Sequence, residues 1–295
     1  MRFFIIALLF AVMPCCCQGV NYSLTENEYF SFAERKQFQT HLQQVQVYNL
    51  SYHSFDSTSV NGFLIKPVSE LKKHPVIIYN RGGNNEFGMV SDSYIMMFLS
   101  KIAARGYIII GSQLRGSMGS DGVDEFGGRD VNDVLCLLNI IDSLPYADTS
   151  KIGLIGWSRG VVTNFILLKK SERIKTAINI AGPSDLMKSR QKMFQVYRKC
   201  IPGYAQDSVT ALKERSPVFL LESMRNKHCS LMFIQGDKDE RVEKNNAVEL
   251  YNKTQQLGLQ SELLIYPNGS HSLREVWPDV IEKIDLWLHT HFSGG

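Results

Sequence analysis

Six short apolar, β-branched runs, "PVIIYN" (75–80), "YIIIGSQ" (107–113), "KIGLIG" (151–156), "TAINIAG" (176–182), "SLMFIQG" (230–236) and "ELLIYP" (262–267), alternate with amphipathic segments through most of this 295-residue chain. Continuous apolar strands separated by helices bury themselves in a mostly parallel sheet covered on both faces, so the expected fold class is α/β. The covering helices are expected over Tyr94 to Arg105, Val131 to Ser143, Val161 to Lys170 and Glu240 to Leu257, with a last one starting near Pro278, a residue suited to a first helical turn. Ahead of this rhythm, residues 24–44 are polar with scattered aromatics and predict a surface helix, while "VQVYNLSYHS" and "GFLIKPV" predict a β-hairpin. Residues 184–217 interrupt it: they are helix-prone, rich in Met, Lys and Arg, and carry no strand. They are expected as a small helical insertion, either a cap over the edge from which ligands enter or ordinary packing helices.

At 44% hydrophobic and 21% charged the chain has the profile of a globular protein with a sizeable core. Its 32 basic and 29 acidic residues include no basic tract that would track phosphates, which argues against a nucleic-acid partner. The opening "MRFFIIALLFAVMPCCCQ" has one Arg, then an apolar run from Phe3 to Met13 and no acid, the layout of a secretory leader ending near Gly19. That run falls short of the ~20 residues a spanning helix needs, so no transmembrane span is expected in the mature chain. The expected organisation is a signal peptide at 1–19, an N-terminal extension at 20–55 and one catalytic domain at 56–295. The expected location is secreted or periplasmic, with lipid anchoring at Cys15, Cys16 or Cys17 as the second reading. Beyond the leader remain Cys136, in an apolar helix, and Cys200 and Cys229, in polar surroundings where they either pair or stay free. No CxxC or clustered His accompanies them, so no metal is expected and no cofactor is required.

Gly156-Trp157-Ser158-Arg159-Gly160 is a G-x-S-x-G pattern, weak alone, but an apolar strand runs into it and the helical "VVTNFILLKK" leaves it. That strand-turn-helix setting is the one a nucleophile elbow requires. The turn is so tight that side chains at either glycine would collide with the neighbouring strand and helix, while Ser158 is forced into a strained backbone. A serine hydroxyl needs a general base and an acid to orient it. In open α/β sheets ligands bind beyond the carboxyl ends of strands. His74 and His228 precede strands, His41 and His53 belong to the N-terminal segments, and His289 and His291 lie on the last helix; His271 alone follows a strand. Asp237 and Asp239, after the strand at 230–236, are the candidate acids, and Ser, Asp, His is the chain order of the α/β-hydrolases. For the oxyanion, the backbone N–H of Arg159 follows the nucleophile, and Gly82 and Gly83 follow the strand at 75–80. The loop carries no phosphate-cradling GxxxxGK[ST] or GxGxxG.

With these residues in place, the chain resembles the catalytic domain of the prolyl oligopeptidase family over roughly residues 60–290. "YNRGG" matches its Y-x-H-G-G loop, "LRGSMGSDGVDEFGGRDVNDV" its R-G-S-x-G segment and following helix, and "DTSKIGLIGWSRG" its serine motif. "RSPVFLLESMRNKHCSLMFIQGDKDERV" matches R-S-P followed by H-G-x-x-D-x-x-V, and counting from Gly236 the resemblance assigns the acid to Asp239, with Asp237 as runner-up. Arg81, Val161 and Gln235 stand where the family carries His, Gly and His. The resemblance implies an α/β-hydrolase fold and a serine hydrolase with Ser158, Asp239 and His271 as triad and Gly83 and Arg159 as oxyanion donors. Family members usually carry a β-propeller ahead of this domain, and only the 36 residues of the N-terminal extension (20–55) stand in that position here, excluding the leader. The expected reaction is cleavage of a peptide or amide bond, with a carboxylesterase acting on small acyl esters, or a non-catalytic binding protein, as alternatives. Arg81, Gly82 and Trp157 are substrate-binding candidates, and the guanidinium of Arg159 is a further candidate for a substrate carboxylate.

Overall fold

The computed structural model describes residues 21–30, 40–69 and 73–293. The leader expected at 1–19 lies outside the described residues. Each of the six apolar runs forms a strand: β4 (His74–Asn80), β5 (Ile108–Ser112), β6 (Ala147–Trp157), β7 (Ile174–Ile180), β8 (Ser230–Gly236) and β9 (Ser261–Tyr266). They join β1 (Tyr22–Glu26), β2 (Val45–His53) and β3 (Ser59–Pro67) in one sheet of order β1-β2-β3-β5-β4-β6-β7-β8-β9. The pairings from β1 through β3 to β5 are antiparallel and the others parallel. The stretch read as an N-terminal extension thus contributes β1 and β2 to the same sheet.

Two apolar layers flank the sheet, as strands buried on both sides demand. One packs α1 (Arg129–Ser143) and α2 (Arg159–Lys170) through Val131, Leu137, Val162 and Phe165. The other packs the helical stretch Asp92–Tyr94, Ile95–Leu99 and Ser100–Ala103 against the C-terminal helix Trp277–Ser293 through Phe98, Ile102, Ile284 and Leu288. The middle of that first stretch, Ile95–Leu99, is a π-turn.

Two expectations are corrected. Residues 24–44 were expected as a surface helix; their described part is β1 followed by the short 3₁₀ turns Glu28–Phe30 and Thr40–Gln44. Tyr22 and Leu24, two apart, pack against the core while Leu24 pairs with Leu50 of β2, a two-residue periodicity that polar composition masked. Cys200 and Cys229 are not in polar surroundings: both are buried, and among the described residues no disulfide joins them to each other or to Cys136.

The insertion contains α3 (Gln191–Cys200) and the short helices Ser208–Lys213 and Pro217–Leu220, without a strand. Helix Asn245–Gln256, α4, lies between β8 and β9 in sequence, and the C-terminal helix is α5. Among the described residues no helix is long and apolar enough to cross a membrane.

Candidate active site

Strand β6 delivers Ser158 at the start of α2 with φ 55° and ψ −119°, a conformation L side chains rarely adopt. The backbone is held there from both sides. Ser158 N–H donates to the Ile180 carbonyl at 2.8 Å, and its carbonyl accepts from Val161 N–H at 3.0 Å. A Cβ at Gly160 would strike the Asn80 carbonyl of β4, and one at Gly156 would strike the Gly160 carbonyl, so both glycines are required by close approach. Beneath the turn, Asn80 Nδ2 donates to Asn164 Oδ1 at 2.8 Å, and Asn164 Nδ2 donates to Asn179 Oδ1 at 3.0 Å, tying β4, α2 and β7 together.

His271 stands on the loop after β9 and Asp239 on the turn after β8, adjacent strands whose carboxyl ends face the elbow. His271 Nδ1 and Asp239 Oδ2 are 2.7 Å apart. The other oxygen of Asp239 accepts from the backbone N–H groups of Arg241 and Val242 at 2.8 and 2.9 Å. Burial works to raise the Asp239 pKa, but its hydrogen bond and charge pairing with His271 and the two N–H donors together outweigh burial and hold it below the ordinary carboxylate value. Asp237 is occupied elsewhere: its Oδ1 accepts from Asn268 N–H at 2.6 Å and fastens the two loops together. Trp157 Nε1 donates to the His271 carbonyl at 3.2 Å, fixing the backbone that carries the imidazole.

Gln235 takes part as well. Its Nε2 donates to Asp239 Oδ2 at 2.9 Å, to the Val242 carbonyl at 3.1 Å and to the Gly236 carbonyl at 3.2 Å. The sequence marked Gln235 only as a departure from a family His; its amide bridges the acid and the turn that presents it.

The loop after β4 passes close to the serine. A Cβ at Gly82 would lie 3.1 Å from Ser158 Cβ and 3.8 Å from its Oγ, and Gly83 has φ +71°, where a Cβ would strike the Phe87 carbonyl. Among the described residues neither the Gly83 N–H nor the Arg159 N–H has an acceptor. Arg81 was a substrate-binding candidate; the structure corrects this. Its side chain is buried, and the guanidinium donates to the carbonyls of Gln113 (2.9 Å), Gly82 (3.2 Å), Phe87 (3.2 Å) and Asn85. It pins the loop from within instead of facing a ligand.

The guanidinium of Arg159 is likewise unavailable to a substrate carboxylate. It is buried between Asp124 and Asp130, with Nη1 to Asp124 at 2.6 Å, Nη2 to Asp124 and Asp130 both at 2.7 Å, and Nη1 also to the Gly83 carbonyl at 3.0 Å. Asp124 in turn accepts from Asn85 N–H at 2.8 Å. Burial opposes the Arg159 cation, but Asp130 and Asp124 more than offset it and keep it charged. Sequence reasoning gave Asp124 and Asp130 no role, although both lie in the segment after R-G-S-x-G.

Two cavities share Ser158 and His271. The larger, about 1060 Å³, extends under the insertion between α3 and α4. The smaller, about 250 Å³, has aromatic walls from Tyr79, Tyr94, Trp157 and Trp277. Trp157 packs edge-on against Phe98 and Tyr94 while lining that smaller cavity. Among the described residues no group of three or more His, Cys, Asp or Glu is placed to hold a metal ion.

Comparison with known proteins agrees with this architecture. A model of the prolyl oligopeptidase family matches residues 93–295, and one of acetyl xylan esterases matches residues 21–132. The uncharacterized peptidase YtmA of Bacillus subtilis (strain 168) is 24% identical over a stretch covering 81% of this chain and 91% of its own. Dipeptidyl-peptidase 5 of Porphyromonas gingivalis is 27% identical over 68% of this chain but 31% of its own length, so the chain spans about a third of that relative. Among solved structures, Pyrococcus horikoshii acylaminoacyl peptidase superposes with a TM-score of 0.71 at 24% identity, covering 86% of this chain and 43% of that one. Acetyl xylan esterase 1 from Thermoanaerobacterium gives 0.62 at 15%, covering 92% of this chain and 89% of that one. These likenesses establish the α/β-hydrolase fold.

Proposed function

The chain belongs to the prolyl oligopeptidase family, and on that premise we propose that it is a serine hydrolase that cleaves a peptide or other amide bond through an acyl-enzyme on Ser158. The observation that carries this reading is the 2.7 Å Asp239–His271 bond, at the same sheet edge as a serine held at positive φ, with His271 lining the same two cavities as that serine. Because Asp239 engages Nδ1, the imidazole presents Nε2 to take the proton of Ser158 Oγ as the oxygen attacks the carbonyl carbon. The proton then passes to the leaving amine, and water, deprotonated by the same nitrogen, releases the acyl group. The Gly83 and Arg159 N–H groups are the donors that receive charge on the former carbonyl oxygen; removing such a donor typically costs ~10²–10³ in kcat. No cofactor enters these steps. Export from the cytoplasm is part of the proposal and rests on the leader-like layout of residues 1–19; N-terminal sequencing of the mature protein tests it.

A fluorophosphonate probe should label the wild type, and Ser158→Ala should abolish both labelling and turnover. Labelling that persists in that variant would sink the assignment. His271→Ala should lower turnover severely while His228→Ala should not.

An esterase is the second reading, favoured by the acetyl xylan esterase match over residues 21–132 and by a likeness to such an esterase along nearly its whole length. Matched short acyl esters and peptide amides, compared by kcat/KM, decide between the two; turnover of esters alone would displace the peptidase reading.

A further inference from the structure

The insertion at 184–217 holds seven basic residues against three acidic ones, a net of +4, whereas the whole chain carries +3. All of the net positive charge therefore resides in the segment that roofs the larger cavity. Three cationic side chains on that cavity's wall, Arg190, Lys192 and Arg241, have no ion-pair partner among the described residues. Arg241 instead lies over the Phe87 ring, 5.7 Å from its centroid. The other wall cations are engaged: Lys188 with Glu249 at 2.7 Å, Lys253 with Glu222 at 2.5 Å and Arg159 with Asp124 and Asp130. Glu243 is the one wall carboxylate without an ion pair among the described residues, so the free charges favour the cations three to one.

A concave surface whose unpaired charges are predominantly of one sign, with low-dielectric walls such as Met193, Val196 and Phe126, focuses its field into the cavity and concentrates ligands of opposite sign. A peptide or ester carrying a neutral group there gains nothing from that field. We propose that this cavity selects substrates bearing a carboxylate or similar anionic group on the insertion side of Ser158, with Arg190 and Lys192 as specificity-determining residues. The inference rests on the serine hydrolase reading above and names its substrate class.

The test pairs chromogenic substrates that differ only in a side-chain carboxylate or its carboxamide, Glu against Gln and Asp against Asn, with the pair placed on the acyl side in one series and on the leaving-group side in another. One series should show kcat/KM higher for the acid by roughly tenfold. The ratio should fall toward one in 1 M salt, where the screening length shrinks to about 3 Å. The double variant Arg190→Gln, Lys192→Gln should lower the ratio at least threefold, with the amount of folded enzyme fixed by fluorophosphonate labelling. Equal turnover of acid and amide in both series, or a preference untouched by salt and by the double variant, overturns the inference. Ser158→Ala separates the two levels: if it leaves turnover intact, the nucleophile assignment has failed, not the charge selection.

Discussion

Arg159 Nη1 donates to the Gly83 carbonyl at 3.0 Å, so the residue after Ser158 holds the loop that carries the other proposed oxyanion donor. The same guanidinium is anchored by Asp124, whose carboxylate also accepts from Asn85 two residues further along that loop. Elbow and loop are thus one buried, charged assembly, in which the side chain of Arg159 positions the loop while its backbone N–H is left for the proposed oxyanion role.

Replacing Arg159 by Met should strand Asp124 and Asp130 as buried carboxylates without their partner. The expected loss is about 3–5 kcal/mol of stability, read by chemical denaturation. Activity per folded molecule should fall chiefly through kcat, because the Gly83 carbonyl loses its donor. Arg159→Lys, a point charge that cannot bridge both acids, should fall between the two. A Met variant of wild-type stability would refute the clamp.

Gln235→Leu should leave Asp239 Oδ2 with His271 as its remaining partner. A side-chain hydrogen bond to a charged group contributes about 1.5–3 kcal/mol, so kcat should drop by roughly tenfold or more if the amide orients the acid. Gln235→His, the residue the family resemblance places there, should recover most of the rate. Steady-state kinetics on both variants settles it, and an unchanged kcat in the Leu variant speaks against the role.

Acid should expose the contribution of Asp239 to stability. Its carboxyl is held below its ordinary value in the fold, so the unfolded chain binds the proton more readily, and stability is lost as the pH is lowered. The contribution is complete above about pH 4, the ordinary carboxylate value, and is lost as pH falls through the lower value of the folded state. Urea midpoints for wild type and Asp239→Asn across pH 2.5 to 6 should differ at the upper end and converge at the lower. A constant gap would contradict the depressed value.

Val161 stands where the family resemblance places a glycine, and Gly182, after β7, faces it: a Cβ there would collide with the Val161 side chain. Gly182→Ala should therefore destabilise by about 1–3 kcal/mol through overpacking, and adding Val161→Gly should recover part of it. Thermal unfolding of the two single variants and the double closes the cycle, and strict additivity would show that the two sites do not share this space.

The alternation of apolar strands with amphipathic helices, the hairpin and the glycine-flanked serine were legible because each is written in contiguous residues. Periodicity selects strand or helix locally, and a turn as tight as that around Ser158 excludes side chains at Gly156 and Gly160 whatever lies elsewhere. The elimination that left His271 needed only the order of strands and loops. β1 was missed because its two inward residues acquire meaning only beside Leu50 of β2.

What the tertiary structure alone decided is the direction and partnership of side chains, set by groups far away in sequence. The resemblance already assigns the acid to Asp239; the structure adds the partners, with Asp239 meeting His271 and Asp237 accepting from Asn268 N–H. Arg81 and Arg159 look like substrate ligands in a linear reading, yet burial obliges each guanidinium to find acceptors, and the carbonyls of the loop after β4 and the carboxylates of Asp124 and Asp130 supply them. Arg190 and Lys192, mere charges in a helical segment, instead line the cavity that holds Ser158, because the insertion folds back across the carboxyl edge of the sheet.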